Sequence, residues 1–301
     1  MILKNLKIFS QNIYKNYLVI NTILEIQSHF DIVFIQEPPW SIICKVSSTL
    51  NSEDKDFIGT VHYPNWLLFT STSVNRLTSP RVTAYINIRL SFLHFSLWSN
   101  IINYTDILLM SFINNHVYYF IINIYLDSSH SALKYLKDIE ANIDNVLVMT
   151  RDFNTRDSLW NTSFPHHSSI SDDLLIIADS FNLALSSLTN PCPTRYSNTA
   201  GESNSTIDFM FLQYGSSDIN QHSIHLDWYL TSDHAPLSII IFIIDEVVNT
   251  SKLSIQQNSK QEIIFVEEVI LIFKNLDMSN ITNKKCLKNM VNNLDSLVNR
   301  V

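Results

Sequence analysis

At six places in the 301-residue chain, a side chain of the kind that holds metals or phosphates stands where an apolar run stops or begins. IFSQN ends on Gln11 and Asn12, IVFIQE on Glu37, IINIY on Tyr125 and VLVMTRDFN on Asp152 and Asn154. STIDFMFL carries Asp208, and TSDHAPL carries Asp233 and His234. Groups delivered from several strand ends to one edge of an α/β scaffold are a common way to build a site. Taken singly, each also has a plain structural reading. Glu37 before Pro38 and Pro39 suits a solvated loop, Asn12 can bond a turn backbone, and Tyr125 is one of 12 tyrosines. Asp208 is different, because a carboxylate inside an apolar strand must be paired when buried.

Together these types suit hydrolysis of a phosphodiester. Glu37 and Asp233 offer hard oxygens to a divalent cation and leave room for water and substrate. Asp152 can act as a general base, while the amides of Asn12 and Asn154 can donate to non-bridging phosphoryl oxygens. His234, oriented by a carboxylate such as Asp208, can place positive charge beside the phosphoryl group.

The elements that must carry these residues are short β-rich runs: LKIFSQN, DIVFIQE, WLLFTST, RVTAYINIRL, DILLMSFI, VYYFIINIYL, NVLVMT, STIDFMFL and PLSIIIFII. Helical spacing is predicted for Tyr17 to Phe30, Ser131 to Asn145 and Asp172 to Phe181, with apolar stripes that suit packing against a sheet. Continuous runs such as IVFI and YYFIINIYL suit strands buried on both faces, so an α/β protein is expected. After Asp245 the pattern changes to a polar, Asn/Ser/Gln-rich stretch and then helical spacing. The expected organisation is therefore one domain over 1–246 and a polar linker with a helical tail over 247–301.

Hydrophobic residues make up 46% and charged residues 16%, which favours a folded chain over a disordered one. The net charge of −8 argues against a strong nonspecific grip on nucleic acid and leaves room only for a local cationic groove. Cys44, Cys192 and Cys286 show no paired spacing, so neither a disulfide framework nor a zinc site is read. No run approaches the roughly 18 apolar residues that span a bilayer, and MILKNLKIF is too short in its apolar part for a signal peptide. A soluble, intracellular protein with no membrane partner is expected, nuclear if it acts on chromosomal DNA. Glycine numbers only 3, against about 20 for an average chain of this length. Turns must then lean on Asn, Asp and Ser.

The motifs SQN, IQEPPW, NIYLDSS, RDFNTRDSLWN, PCPTRYS, STIDFMFL and SDHAPL, in this order across about 3–243, resemble the endonuclease/exonuclease/phosphatase superfamily. The likeness is in particular to the endonuclease domain of LINE-type (non-LTR) retrotransposons, in which such a domain precedes a reverse transcriptase. That resemblance implies a DNase I-like four-layer α/β sandwich, with two packed mixed β-sheets flanked by helices. It implies Mg²⁺ or Mn²⁺ as cofactor and the phosphodiester backbone of DNA as partner. By residue, it assigns Asn12 to the phosphate, Glu37 to the metal, Tyr125 to the neighbourhood of the scissile phosphate and Asp152 with Asn154 to the base and its companion amide. Asp208 would orient the histidine, Asp233 and His234 form the terminal pair, and Ser205, Thr206 and Ser232 would support them as donors. Arg81, Arg156 and Arg195 are candidate DNA contacts. Trp40, Trp66 and Trp160 are weighed between the groove and packing, with packing preferred.

Three departures from the family pattern stand out. Arg151 replaces a glycine, Arg156 and Asp157 replace paired histidines, and Asn161 stands where Asp is common. Arg151 is expected to strain the turn, at about 1–3 kcal/mol if its φ is unfavourable. The contrary reading makes it an added cation on the phosphate track. Two other functions compete with a nicking endonuclease: a noncatalytic remnant of the fold, and a small-molecule or lipid phosphatase of the same superfamily. No reverse transcriptase is expected in this chain, whose tail would be the start of the linker or part of a truncated copy.

Overall fold

A computed structural model describes residues 5–39, 44–47, 56–59, 63–70, 79–139, 143–161, 164–186, 192–197, 203–214, 221–226 and 232–243. The tail expected over 247–301 and Trp40 lie outside the described residues. Two six-stranded sheets pack face to face. The first runs β13 (Gln221–Ile224), β14 (Leu237–Phe242), β1 (Asn5–Asn12), β2 (Ile32–Gln36), β6 (Val82–Asn87) and β5 (Trp66–Thr70). The second runs β11 (Leu183–Leu185), β12 (Asp208–Gln213), β10 (Val146–Asp152), β9 (Val117–Tyr125), β8 (Ile107–Asn114) and β7 (Ser96–Leu97). A separate pair joins β3 (Cys44–Ser47) to β4 (Asp56–Gly59). Each large sheet is mixed: β1 and β2 are parallel in one, β9 and β10 in the other, and the remaining ladders are antiparallel.

The two-residue period of the strands explains the layering. Leu6, Ile8, Phe34 and Ala84 of the first sheet meet Met110, Ile121, Val148 and Met210 of the second in one buried core. On the outer face of the first sheet, Phe9, Val33, Ile35 and Tyr85 pack against Val19, Ile20, Ile23 and Leu24 of helix α1 (Tyr17–Ile26). Beyond the second sheet, Ile122, Met149, Phe209 and Phe211 pack against α2 (Ser131–Asp138) and α3 (Ser169–Ser180) through Leu133, Leu136, Leu174 and Ile177. Runs such as IVFI are buried on both faces because both faces meet a layer. The four-layer expectation holds.

The helices differ from the expected spans. Helix α1 stops at Ile26 and α2 at Asp138, short of the expected Phe30 and Asn145. Helix α3 starts at Ser169, before the expected Asp172, because Ser168 caps it by accepting from the Ile170 amide at 3.2 Å. β3, β4, β7, β11 and β13 were not expected, being only 2 to 4 residues long. Among the described residues no helix is long and apolar enough to cross a membrane.

Candidate active site

The inward face of each sheet changes from apolar to polar at the same end. Along β1 the inward residues run Leu6, Ile8, then Ser10 and Asn12, and the ladder pairs Asn12 with Gln36 at the end of β2. In the second sheet Asp152 pairs with Tyr125 on one side and Asp208 on the other. Parallel pairing of β1 with β2 and of β9 with β10 brings four strand ends to one edge. Below them the two sheets are tied by the buried Gln36, whose Nε2 donates to Asn123 Oδ1 at 2.7 Å and to Ser10 Oγ at 3.1 Å. Asn123 Nδ2 in turn donates to the Thr83 carbonyl at 3.1 Å.

On that polar floor lies a chain of buried groups. Asn12 Nδ2 donates to Asp152 Oδ2 at 2.8 Å, and the Asn154 amide donates to Asp152 Oδ1 at 2.9 Å. His234 places Nδ1 2.9 Å from Asp208 Oδ2 and Nε2 3.8 Å from both Asp152 Oδ2 and Asp233 Oδ1. Burial alone would lower the His234 pKa, but Asp208, Asp152 and Asp233 outweigh it and push it up to about 10. These carboxylates favour the imidazolium form, whose Nδ1 donates to Asp208 while Nε2 faces Asp152 and Asp233 without a hydrogen bond to either.

Neighbouring contacts fix these groups. Ser232 Oγ donates to the Asn12 carbonyl at 2.7 Å and accepts from the His234 amide at 3.1 Å. Gln11 Nε2 donates to the His234 carbonyl at 3.0 Å. Thr194 Oγ1 accepts from the amides of Ile207 and Asp208 at 3.0 and 2.9 Å, setting the start of β12. Ser205 is buried and pairs through its backbone with Arg195, whereas Thr206 Oγ1 donates to the Cys192 carbonyl at 3.4 Å.

Glu37 and Tyr125 form a second group. Tyr125 Oη donates to Glu37 Oε1 at 3.2 Å, and burial, followed by the charges of Glu37 and Asp152, holds the phenol above its ordinary pKa. Glu37 takes a left-handed backbone, φ 48°, held as its amide donates to the Arg81 carbonyl and its carbonyl accepts from Lys15, both at 2.8 Å. Asp233 Oδ2 accepts from Arg195 Nε at 3.3 Å. Among the described residues, the His/Cys/Asp/Glu group whose ligand atoms all lie within 4.8 Å of one another is Asp152, Asp208 and His234. Glu37 and Asp233 do not belong to it.

The segment 119–238 matches the family model described as Endonuclease-reverse transcriptase. Among solved structures, the endonuclease domain of TRAS1, a telomere-specific non-LTR retrotransposon, aligns with a TM-score of 0.59 at 15% identity, over 80% of this chain and 100% of that one. AP endonuclease LMAP from Leishmania major aligns with a TM-score of 0.56 at 10% identity, over 80% and 89% of the two chains. No curated protein matches in sequence. This chain has the DNase I-like fold of these endonucleases, and over 119–238, less than half of its length, it matches the Endonuclease-reverse transcriptase family model. Tyr125, Asp152, Asn154, Asp208, Asp233 and His234 fall inside the matched segment, while Asn12 and Glu37 lie outside it and reach the same edge through the fold.

Arg151 does not behave as expected. Its backbone is an ordinary part of β10, paired with Ile124 and Phe209, and it is absent from the described residues with positive φ. The left-handed residue is Asn154, φ 46°, whose Nδ2 donates to the Leu126 carbonyl at 2.6 Å. The expected backbone strain at 151 is thus corrected: the register has already placed the strand, and the turn falls three residues later. A cleft of about 410 Å³ opens beside Asn154 and Arg195, lined also by His130, Arg156, Phe164 and Ile207. Trp66 and Trp160 are packing residues. The Trp66 indole donates to the Leu24 carbonyl at 2.9 Å, and the Trp160 ring lies 4.6 Å from that of Phe209. Sequence reasoning missed Gln36, Asn123 and Thr194, whose signal was a polar residue at an inward position of a strand or inside the PCPTRYS motif. It also missed Asp106 and Asp127, which look like ordinary strand-flanking carboxylates.

Proposed function

We propose that this domain is a divalent-metal-dependent endonuclease that nicks DNA. The observation that carries the reading is the buried chain Asp208, His234, Asp152, Asn12 at the edge where the Glu37 and Tyr125 pair also stands. Asp152, fixed by two donors, takes the proton from the attacking water. The imidazolium of His234, kept charged and oriented by Asp208, offers Nε2–H to the charge that develops on the phosphoryl oxygens. Asn12 and Asn154 each spend one amide N–H on the protein and keep a second for the phosphate. Tyr125 holds Glu37 in place.

Glu37 and Asp233 are the proposed metal ligands, and they fit the role: both are carboxylates with oxygen donors only, which suits hard Mg²⁺ or Mn²⁺. The bound ion would supply Lewis-acid polarisation of the phosphoryl group and charge neutralisation. DNA contacts by Arg156 and Arg195, which line the cleft beside Asn154, belong to the same proposal. The ordinary strand geometry of Arg151 supports retained activity over a noncatalytic remnant. Residues 1–246 are proposed as the catalytic domain.

Supercoiled plasmid incubated with Mg²⁺ or Mn²⁺ tests this reading. Wild type should give open circles, and Asp152→Ala and His234→Ala should not. Intact plasmid with wild type, or equal nicking by the variants, would overturn it. Hydrolysis of inositol or lipid phosphates without nicking would transfer the same site to a phosphatase.

A further inference from the structure

Arg81 was expected along the DNA track, yet its guanidinium is already committed. Nε donates to Asp106 Oδ1 at 2.7 Å, one terminal nitrogen donates to Asp106 Oδ2, and the same nitrogen donates to Asp127 Oδ2 at 3.1 Å. Asp106 is buried, and Asp127 is tied down in turn by Ser129 and Ser131. The Arg81 guanidinium carbon lies 4.8 Å from the centre of the Tyr125 ring. The backbone joins in: Arg81 accepts from the Glu37 amide, Arg81 donates to the Thr105 carbonyl at 3.1 Å, and Tyr125 donates to the Asp106 carbonyl at 2.9 Å. One arginine therefore links the end of β2, the start of β6, the start of β8 and the end of β9.

We infer that Arg81, gripped by Asp106 and Asp127, is the positioning residue that sets the Tyr125 ring against Glu37, and is not a contact to DNA. The inference rests on the proposed nicking activity for its kinetic test. A planar guanidinium can meet two carboxylates and lie against an aromatic ring at once, whereas an ammonium is a single point charge that cannot. Without the clamp the phenol keeps its neighbours but loses the surface that fixes its angle. The Glu37 backbone is held through the Arg81 carbonyl whatever side chain stands at 81, whereas its carboxylate depends on the Tyr125 hydroxyl that the clamp positions.

Three readouts on the whole chain test this. In plasmid nicking, Arg81→Met should lower kcat by about 10- to 100-fold with KM for DNA changed less than about threefold, as a small misplacement does. Arg81→Lys should recover little, methylguanidinium should restore part of the activity of Arg81→Ala, and Asp106→Asn, which keeps the arginine, should reproduce the kcat loss. In DNA binding measured by anisotropy with Ca²⁺, the salt slope should stay that of wild type. A slope reduced by about one phosphate's worth, with KM raised and kcat kept, would make Arg81 a phosphate contact and overturn the inference. The third readout needs no activity: the ¹³C resonance of Tyr125, assigned with Tyr125→Phe, should move in Arg81→Met and stay in Arg156→Met. An unmoved resonance in Arg81→Met overturns the clamp. Loss of all nicking in wild type would instead overturn the proposed function and leave this spectrum to decide the clamp.

Discussion

Asp157→Asn should separate charge from shape in the segment that borders the cleft. The Asp157 carboxylate is fully buried and accepts from the Leu159 amide at 2.9 Å, the Ser168 amide at 2.7 Å and His167 Nδ1 at 3.1 Å. Burial works to raise its pKa, but the two amides, Ser171 and His167 outweigh it and lower the value to about 2. Against an unfolded reference of about 3.9, the difference is just under two units, or about 2–3 kcal/mol at 1.36 kcal/mol per unit. That figure is a ceiling, because water reaches the half-exposed His167 and screens it. The folded pKa is the lower one, so the stabilisation is complete above about pH 4 and is lost as pH falls toward 2. Urea unfolding of wild type and Asp157→Asn at stepped pH should therefore show a gap of up to about 3 kcal/mol near neutrality that closes toward pH 2. The amide variant also turns an N–H toward other donors, which adds an offset independent of pH. A gap of constant size over the whole range would refute the charge argument and leave only that offset.

Gln36→Leu removes the hydrogen bonds that tie the sheets and should cost about 2–3 kcal/mol by urea unfolding. Combined with Asn123→Ala it should cost clearly less than the two losses summed, and simple additivity would deny the coupling. Asn115 and His116 form the two-residue turn between β8 and β9, with φ 49° and 65°. His116→Gly should raise stability by up to about 1 kcal/mol, since relief of a left-handed histidine exceeds the entropy that glycine adds to the unfolded chain; a lower Tm would contradict this. Asp208→Asn leaves His234 Nδ1 without its carboxylate and should lower nicking by about 10²- to 10⁴-fold with an unchanged circular dichroism spectrum. A loss under about threefold would remove Asp208 from its orienting role.

Much of the layered fold was legible because its strands are long apolar runs, and only strands covered on both faces need them: Ile32 to Ile35 and Tyr119 to Ile122 are the clearest. The short edge strands β7, β11 and β13 carry no such run, so they emerge only from pairing with neighbours. The start of α3 was misjudged because Ser168 caps it at Ile170 and Asp157 holds the Ser168 amide from across the loop, and the spacing of apolar residues reports neither. Positive φ was expected at Asn, Asp and Ser. Among the described residues it falls on Asn115, Asn145, Asn154 and Asn182, but also on His94, His116 and His130, and on Tyr14, Lys15 and Glu37. The Glu37 case follows from its tertiary ties to Arg81 and Lys15, which local propensity cannot foresee.

The order of polar residues along the strands was readable; their convergence was a matter of register. Asn12, Asp152 and Asp208 share the inward face because each lies an even number of residues from an apolar inward neighbour: Ile8, Val148 and Met210. A one-residue slip in any of these strands would carry its carboxylate or amide to the helix side. Position 151 falls between Thr150 and Asp152, and its ladder partners Ile124 and Phe209 belong to the core on the helix side. The family's glycine at that position therefore does not set where Asp152 stands. What fixes Asp152 is the pairing of β10 with β9 and β12 and the two donors from Asn12 and Asn154, and all of these are in place with arginine at 151.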